Sequence, residues 1–259
     1  MSADVPLGTE RIGHVAVVEL RRPPHNFFDL PLIAAIADAF EAADADPECR
    51  AIVLCAQGSS FCAGADFSRR DPAAPPRSPR RVNPLYHEAV RLFECRKPVI
   101  GAIQGPAVGG GLGLALVPDF RVVAPEARFS ANFARLGFHP GFGLSVTLPA
   151  LVGAQRAAML LYTGRRVNGE EALRLGLADE LVPLERLRER ALELATEIAV
   201  SSPLAVQSTR ETLRAGFADR IRLAVARESA QQAVQFETED FKEGVAAMAE
   251  RRAPVFRGR

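Results

Sequence analysis

Six of the chain's 20 glycines crowd into the stretch from Gly101 to Gly113, GAIQGPAVGGGLG. The cluster follows an apolar run, Pro98 to Gln104, that reads as a buried strand, and it opens a short apolar helix over Leu112 to Val117. Glycine at Gly109, Gly110 and Gly111 lets backbone N–H groups approach a neighbour with no Cβ in the way. The start of a helix adds unpaired donors and partial positive charge. Such a setting can hold an oxyanion as it develops in acyl chemistry. The same glycines also suit tight strand-to-helix packing alone, and both readings stay open here. No Gly-Lys-Ser/Thr follows the cluster and no GxGxxG fits it, so the two common nucleotide-binding glycine motifs are excluded.

The surrounding pattern sets the fold class. His14 to Leu20 reads as a strand ended by Arg21-Arg22-Pro23-Pro24, and Ala51 to Cys55 (AIVLC) as a strand buried on both sides. Asp29 is a good N-cap for a helix with Leu32, Ile33, Ile36, Phe40 and Ala43 on one face. A second helix is expected near Leu85 to Arg96 and a fourth strand over Phe120 to Ala124. Strands alternating with helices argue for an α/β core with crossover helices. After Ala150 the reading is mostly helical: a helix over Gly153 to Leu161 stopped at Gly164, a short one opened by the capping-box spacing of Asn168 to Glu171 and closed by Gly176, and longer helices from Glu185 to Val200, Pro203 to Ala215, Asp219 to Gln235 and Glu239 to Arg251.

With 259 residues, 48% apolar content and a net charge of +1, the chain can bury a core without disulfides or structural metal and is not a disordered or strongly basic nucleic-acid-binding sequence. Lys97 and Lys242 are its only lysines, an arginine bias that coding preference explains more simply than phosphate binding. Met1 to Glu10 lacks the features of a secretory signal, and no apolar run has the length of a membrane span. Cys49, Cys55, Cys62 and Cys95 show no metal-like spacing. A cytoplasmic protein with reduced thiols is the expectation.

A second loop of small residues, Ser59 to Phe67 (SSFCAGADF), follows the AIVLC strand at the end where open α/β sheets place ligands. Cys62 in this loop reads as a buried thiol rather than a nucleophile. FCAGADF, KPVIGAIQGPAVGGGLGLAL, PDFRVVAPEARFS and LPALVGAQRAAMLLYTGRRVNGEEALRLGLADELV together resemble the crotonase superfamily, the enoyl-CoA hydratases and isomerases, over essentially the whole chain. The resemblance implies a ClpP/crotonase-like α/β fold, with a stacked ββα core over residues 1–195 and a helical trimerisation region over 196–259. It implies acyl-CoA (or acyl carrier protein) thioester substrates and a homotrimer or dimer of trimers. The expectation is that no cofactor is bound permanently, coenzyme A enters as part of the substrate, and no metal, nucleic acid or membrane is involved. The backbone amides of Ala65 and Gly110 would form an oxyanion hole, with Ala63, Ala65, Asp66, Phe67 and Gly110 against the thioester.

At the acid/base positions the pattern departs from the family. Hydratases of this kind place one glutamate where this chain has Gly113 and a second where it has Phe133. Neither residue can activate water or deliver a proton. An isomerase, decarboxylase or thioester hydrolase is therefore expected rather than a standard hydratase. The Ala131-Asn132-Phe133 and Gly137-to-Gly143 stretch is also similar to decarboxylating members, where loss of CO2 beside a thioester needs only enolate stabilisation. His139 and Tyr86 are the candidate polar groups, His139 from a loop beyond Phe133 and Tyr86 from the edge of the Leu85 helix. Against them stand a solvent-facing histidine and a packing tyrosine. The alternatives are a hydratase with an unconventional acid/base such as His139, and a non-catalytic acyl-CoA-binding homologue. His87 lies on the more polar helix face, Asp119 reads as a structural hydrogen-bonding residue, and His25 lies near the expected CoA entrance. The loop from Arg69 to Arg81, with five arginines, reads as a CoA-phosphate contact or a solvated lid. Phe236 to Arg251 is expected across the site mouth or on a neighbouring subunit.

Overall fold

The computed structural model describes residues 6–67 and 78–259. Its main sheet is built from β1 (Leu7–Ile12), β2 (Val15–Leu20), β3 (Ala51–Ala56), β4 (Val99–Ile103), β6 (Phe120–Val123) and β9 (Glu180–Leu181), in the order β1-β2-β3-β4-β6-β9. Only β1 runs antiparallel to its neighbour; the remaining pairs are parallel. A smaller sheet joins β5 (Pro106–Val108), β7 (Arg128–Ser130) and β8 (Arg166–Asn168). The α/β class expected from the alternation is the one observed.

Side-chain alternation explains the layering. Ile52 and Leu54 of β3 point into the larger core, which contains Leu32, Ile33, Ile36 and Phe40 of α1 (Leu30–Ala45). Ala51, Val53 and Cys55 point the other way, onto Leu187, Ala191, Ala195 and Ala199 of α7 (Leu187–Ala199). The four-residue spacing of the three alanines gives α7 a smooth stripe that lies close on the sheet. Asp29 caps α1 as expected, accepting a hydrogen bond from the Leu32 amide at 3.1 Å.

The crossover α2 (Pro84–Glu94) joins β3 to β4, and the short α3 (Gly110–Ala115) leaves β5. The helix expected over Gly153 to Leu161 is α5 (Ala154–Thr163), and α4 (Leu144–Val152), not expected, precedes it across Gly153, whose φ is 79°. Then follow α6 (Gly169–Leu175), α8 (Pro203–Leu213), α9 (Phe217–Gln235) and α10 (Glu239–Ala249). Asn168 and Gly176 cap α6 as the sequence suggests. None of the described helices is long and apolar enough to cross a membrane.

Arg121 is the largest fully buried side chain, 1% exposed. Its guanidinium donates to the carbonyls of Pro118 (2.7 Å), Leu177 (2.9 Å) and Asp119 (3.1 Å) and pairs with Asp179 at 3.2 Å, tying β6 to the turn before β9. Replacing Arg121 by Met is expected to cost about 3 kcal/mol, because the carbonyls lose their donors in a dry interior. That is a fall of roughly 6–12 °C in melting temperature. Arg121→Lys recovers only part of it, since one ammonium cannot span the same fork. An unchanged melting temperature in Arg121→Met would contradict the assignment.

Candidate active site

Two loops meet at the ends of β3 and β4, and they meet backbone to backbone. The Cys62 amide donates to the Pro106 carbonyl at 3.0 Å, and the Val108 amide donates to the Cys62 carbonyl at 3.0 Å. A Cβ on Gly111 would collide with the Cys62 carbonyl oxygen. A Cβ on Gly64, whose φ is 84°, would stand 2.7 Å from the Val108 oxygen and 3.3 Å from the Gly110 nitrogen. These two positions admit only glycine, and the absence of side chains brings the Ala65 loop over the start of α3.

Phe28 locks the pair. Its amide donates to the Gly64 carbonyl at 2.9 Å, it bridges to Ala65, and its ring fills the space beside Gly110 that a Cβ would need. The loop carrying Phe28 is pinned by Asn26, which is fully buried. The Asn26 side chain donates to the carbonyls of Gln57 and Ser60, each at 2.7 Å, and accepts from the Arg22 amide at 2.9 Å. Among the described residues the amides of Ala65 and Gly110 have no hydrogen-bond acceptor. Ala65 is exposed and Gly110 half-buried. Two free amide donors on interlocked backbone can serve a developing negative charge without reorganising.

The other candidates fall into separate groups. Phe67 packs edge-on against Phe138 at 5.5 Å and Phe241 of α10 at 5.9 Å, and Phe138 meets Phe133 at 5.3 Å and Phe236 at 5.0 Å. The Phe236-to-Arg251 segment therefore closes over its own chain's loops. Gly113 faces Phe142: a Cβ there would be 2.6 Å from the Phe142 Cβ. Phe133 is 4% exposed, with its ring end 3.9 Å from where a Gly109 Cβ would lie.

His139 is half-buried and held against α9. Its amide donates to Gln235 at 2.6 Å, its carbonyl accepts from Gln232 at 2.9 Å, and its ring Nδ1 lies 2.7 Å from the Pro140 carbonyl. A carbonyl oxygen only accepts, so Nδ1 carries a proton, and in the neutral ring the lone pair is on Nε2. Tyr86 is buried, and its hydroxyl donates to Gln232 at 2.8 Å while crowding Gly141. His87 is exposed. Asp119 accepts from the Val99 amide, Arg210 and Arg214, each at 2.9 Å, which makes it the structural residue expected. A cavity of about 500 Å³ beside Asp119, Arg210, Arg214 and Phe120 shares no lining residue with the Ala65 and Gly110 loops. Of the arginine loop, Arg69, Arg70 and Arg77 lie outside the described residues, while Arg80 and Arg81 are exposed.

Sequence reading missed Asn26, Phe28, Phe142 and Glu228. Glu228 had a usable signal: with Gln232 it continues the buried stripe of α9 set by Ile221 and Val225, where apolar residues belong. Burial raises its carboxyl above the ordinary range, opposed by hydrogen bonds from Ser145 and Gly143. Among the described residues no cluster of His, Cys, Asp and Glu could hold a metal ion.

The stacked sheets, interlocked glycine loops and paired free amides define an α/β protein of crotonase fold. The chain belongs to the enoyl-CoA hydratase/isomerase family, whose profile matches residues 10–259, and it is an enzyme of that family. A crotonyl-CoA hydratase of Syntrophomonas wolfei is 34% identical over 250 residues, covering 95% of this chain and 96% of that protein. An (E)-benzylidenesuccinyl-CoA hydratase of Thauera aromatica is 34% identical over 258 residues, covering 98% of this chain and 100% of that protein. The crystal structure of an enoyl-CoA hydratase/isomerase from Pseudoalteromonas atlantica superposes with a TM-score of 0.86 at 30% identity, covering 97% of this chain and 100% of the other.

Burial pushes the Cys62 thiol up to about 12, so it is a protonated core thiol at neutral pH. Cys49, Cys55 and Cys95 are also buried and free. A disulfide reagent at pH 8 is expected to find no rapidly reacting thiol in the native protein and all four after denaturation in guanidinium. One fast thiol in the native state, lost in Cys62→Ser, would contradict this.

Proposed function

We propose that this enzyme acts on an acyl-CoA or acyl-carrier thioester and stabilises its enolate or tetrahedral oxyanion with the amides of Ala65 and Gly110. The observation that carries the reading is the pair of amides left without acceptors on two loops whose backbones interlock. Coenzyme A enters only as part of the substrate, and the chemistry needs no permanent cofactor. Ala63, Asp66 and Phe67 flank the Ala65 amide in the chain and complete the thioester-binding loop.

Isomerisation, decarboxylation or thioester hydrolysis fits this site better than hydration. Water addition needs a group to activate water and one to protonate carbon. Gly113 and Phe133 stand where the family resemblance puts those groups, and both are enclosed by aromatic rings. His139 is the remaining candidate base, through Nε2, and Tyr86 the remaining candidate proton donor. Residues 196–259 are proposed to mediate a homotrimer or dimer of trimers. Leu204, Leu213 and Leu223 of α8 and α9 support that reading, being 79%, 81% and 75% exposed in the single chain.

The test is a panel of acyl-CoA thioesters followed by removal of one donor. Crotonyl-CoA is expected to keep its conjugated thioester absorbance, while a β,γ-unsaturated, malonyl-type or saturated thioester is turned over. Ala65→Pro deletes an N–H that has no partner within the described residues. It is expected to lower turnover about 10²–10³-fold with little change in melting temperature. Fast crotonyl-CoA hydration would overturn the reaction class, and full activity in Ala65→Pro would overturn the role of the amide.

A further inference from the structure

Phe142 combines two costs. Its φ of 63° lies in the left-handed region, and its side chain is 1% exposed. A bulky residue held in that conformation is strained and persists only where its surroundings over-determine it. On one side the ring lies on Gly113, where a Cβ would come within 2.8 Å of Cγ and Cδ1. It also packs on Phe28 at 5.6 Å, and Phe28 in turn lies on Gly110. Gly110 and Gly113 share a face of α3, being three residues apart. Phe142 therefore stands one ring away from a proposed oxyanion donor.

On the other side, one carboxylate holds the backbone that follows Phe142. Glu228, 1% exposed on α9, accepts from the Gly143 amide at 2.8 Å through one oxygen. Its other oxygen accepts from the Ser145 amide at 3.1 Å and the Ser145 hydroxyl at 2.5 Å. Burying a carboxylate is expensive unless such donors converge on it, and here all three come from the segment that sets the Phe142 backbone.

We propose that Phe142 is a specificity-determining wall of the acyl pocket, and that Glu228 is the positioning residue that holds it against Gly113 and Phe28. The inference rests on the acyl-thioester reading above. The acyl group beyond the thioester then meets a fixed aromatic plate where a side chain at 113 would otherwise project, and compact acyl groups are favoured over broad ones.

The test measures binding of free CoA, butyryl-CoA and benzoyl-CoA to the full chain by calorimetry, with melting temperatures recorded alongside. Phe142→Gly is compatible with the left-handed backbone and is expected to shift the benzoyl-to-butyryl affinity ratio at least about tenfold toward benzoyl. Phe142→Leu, which keeps an apolar filler, moves the ratio less in the same direction. Glu228→Gln has one oxygen for three donors and is expected to shift the ratio about threefold the same way. The Phe142→Gly/Glu228→Gln double variant then shows no more than Phe142→Gly alone, because the two act through one ring. Free-CoA affinity stays as in the wild type. A ratio unchanged in both Phe142 variants overturns the wall. A Glu228→Gln protein with a lowered melting temperature and an unchanged ratio overturns the positioning role. A wild-type chain that binds CoA and both thioesters equally overturns the inference alone; one that binds none of the three overturns the acyl-thioester reading and the inference with it.

Discussion

Everything at the candidate site depends on two carbonyl-to-glycine approaches that tolerate no side chain. The Cys62 carbonyl lies in the space where Gly111 would carry a Cβ, and the Val108 carbonyl does the same for Gly64. These contacts let the loop after β3 run alongside β5 and pair with it through Cys62 and Ala107. The loops satisfy each other at Cys62, Pro106 and Val108, and the Ala63 and Gly109 amides donate to His25 and Ser130, so the amides of Ala65 and Gly110 are left over. An unpaired amide is costly only where water cannot reach it. Ala65 is exposed and Gly110 half-buried, so the arrangement can keep two donors in reserve at modest cost.

Around these donors the chain is aromatic rather than acidic. Phe28, Phe133, Phe138 and Phe142 are buried about the glycine cluster, while Phe236 and Phe241 of the C-terminal helices close over Phe138. Tyr86, Gln232, His139 and Glu228 are engaged with one another's elements through α9.

Much of this was legible in the residues. The valine-rich and all-apolar runs announced β2, β3 and β4, and Asp29, Asn168 and Gly176 announced their helix ends, because those signals are local. The glycine triplet and FCAGADF marked the two loops for the same reason. The second sheet was not legible: β5, β7 and β8 are three residues each, too short for alternation to show. β1 was missed because its edge position leaves most of its residues exposed and polar. Asn26 and Glu228 act through partners more than 30 and 80 residues away, and no local pattern encodes such contacts. Phe142 looks like an ordinary loop aromatic until its backbone conformation and its contact with Gly113 are seen together.

The central claim is that the leftover amides of Ala65 and Gly110 receive a thioester oxygen. The most direct measurement is a crystal structure of the chain with a non-reactive CoA thioether or thioester analogue whose oxygen mimics the enolate. That oxygen is expected at about 2.7–3.1 Å from both nitrogens, the distance at which oxyanion donors act. An analogue bound with its oxygen facing other donors, and both amides still without an acceptor, would contradict it.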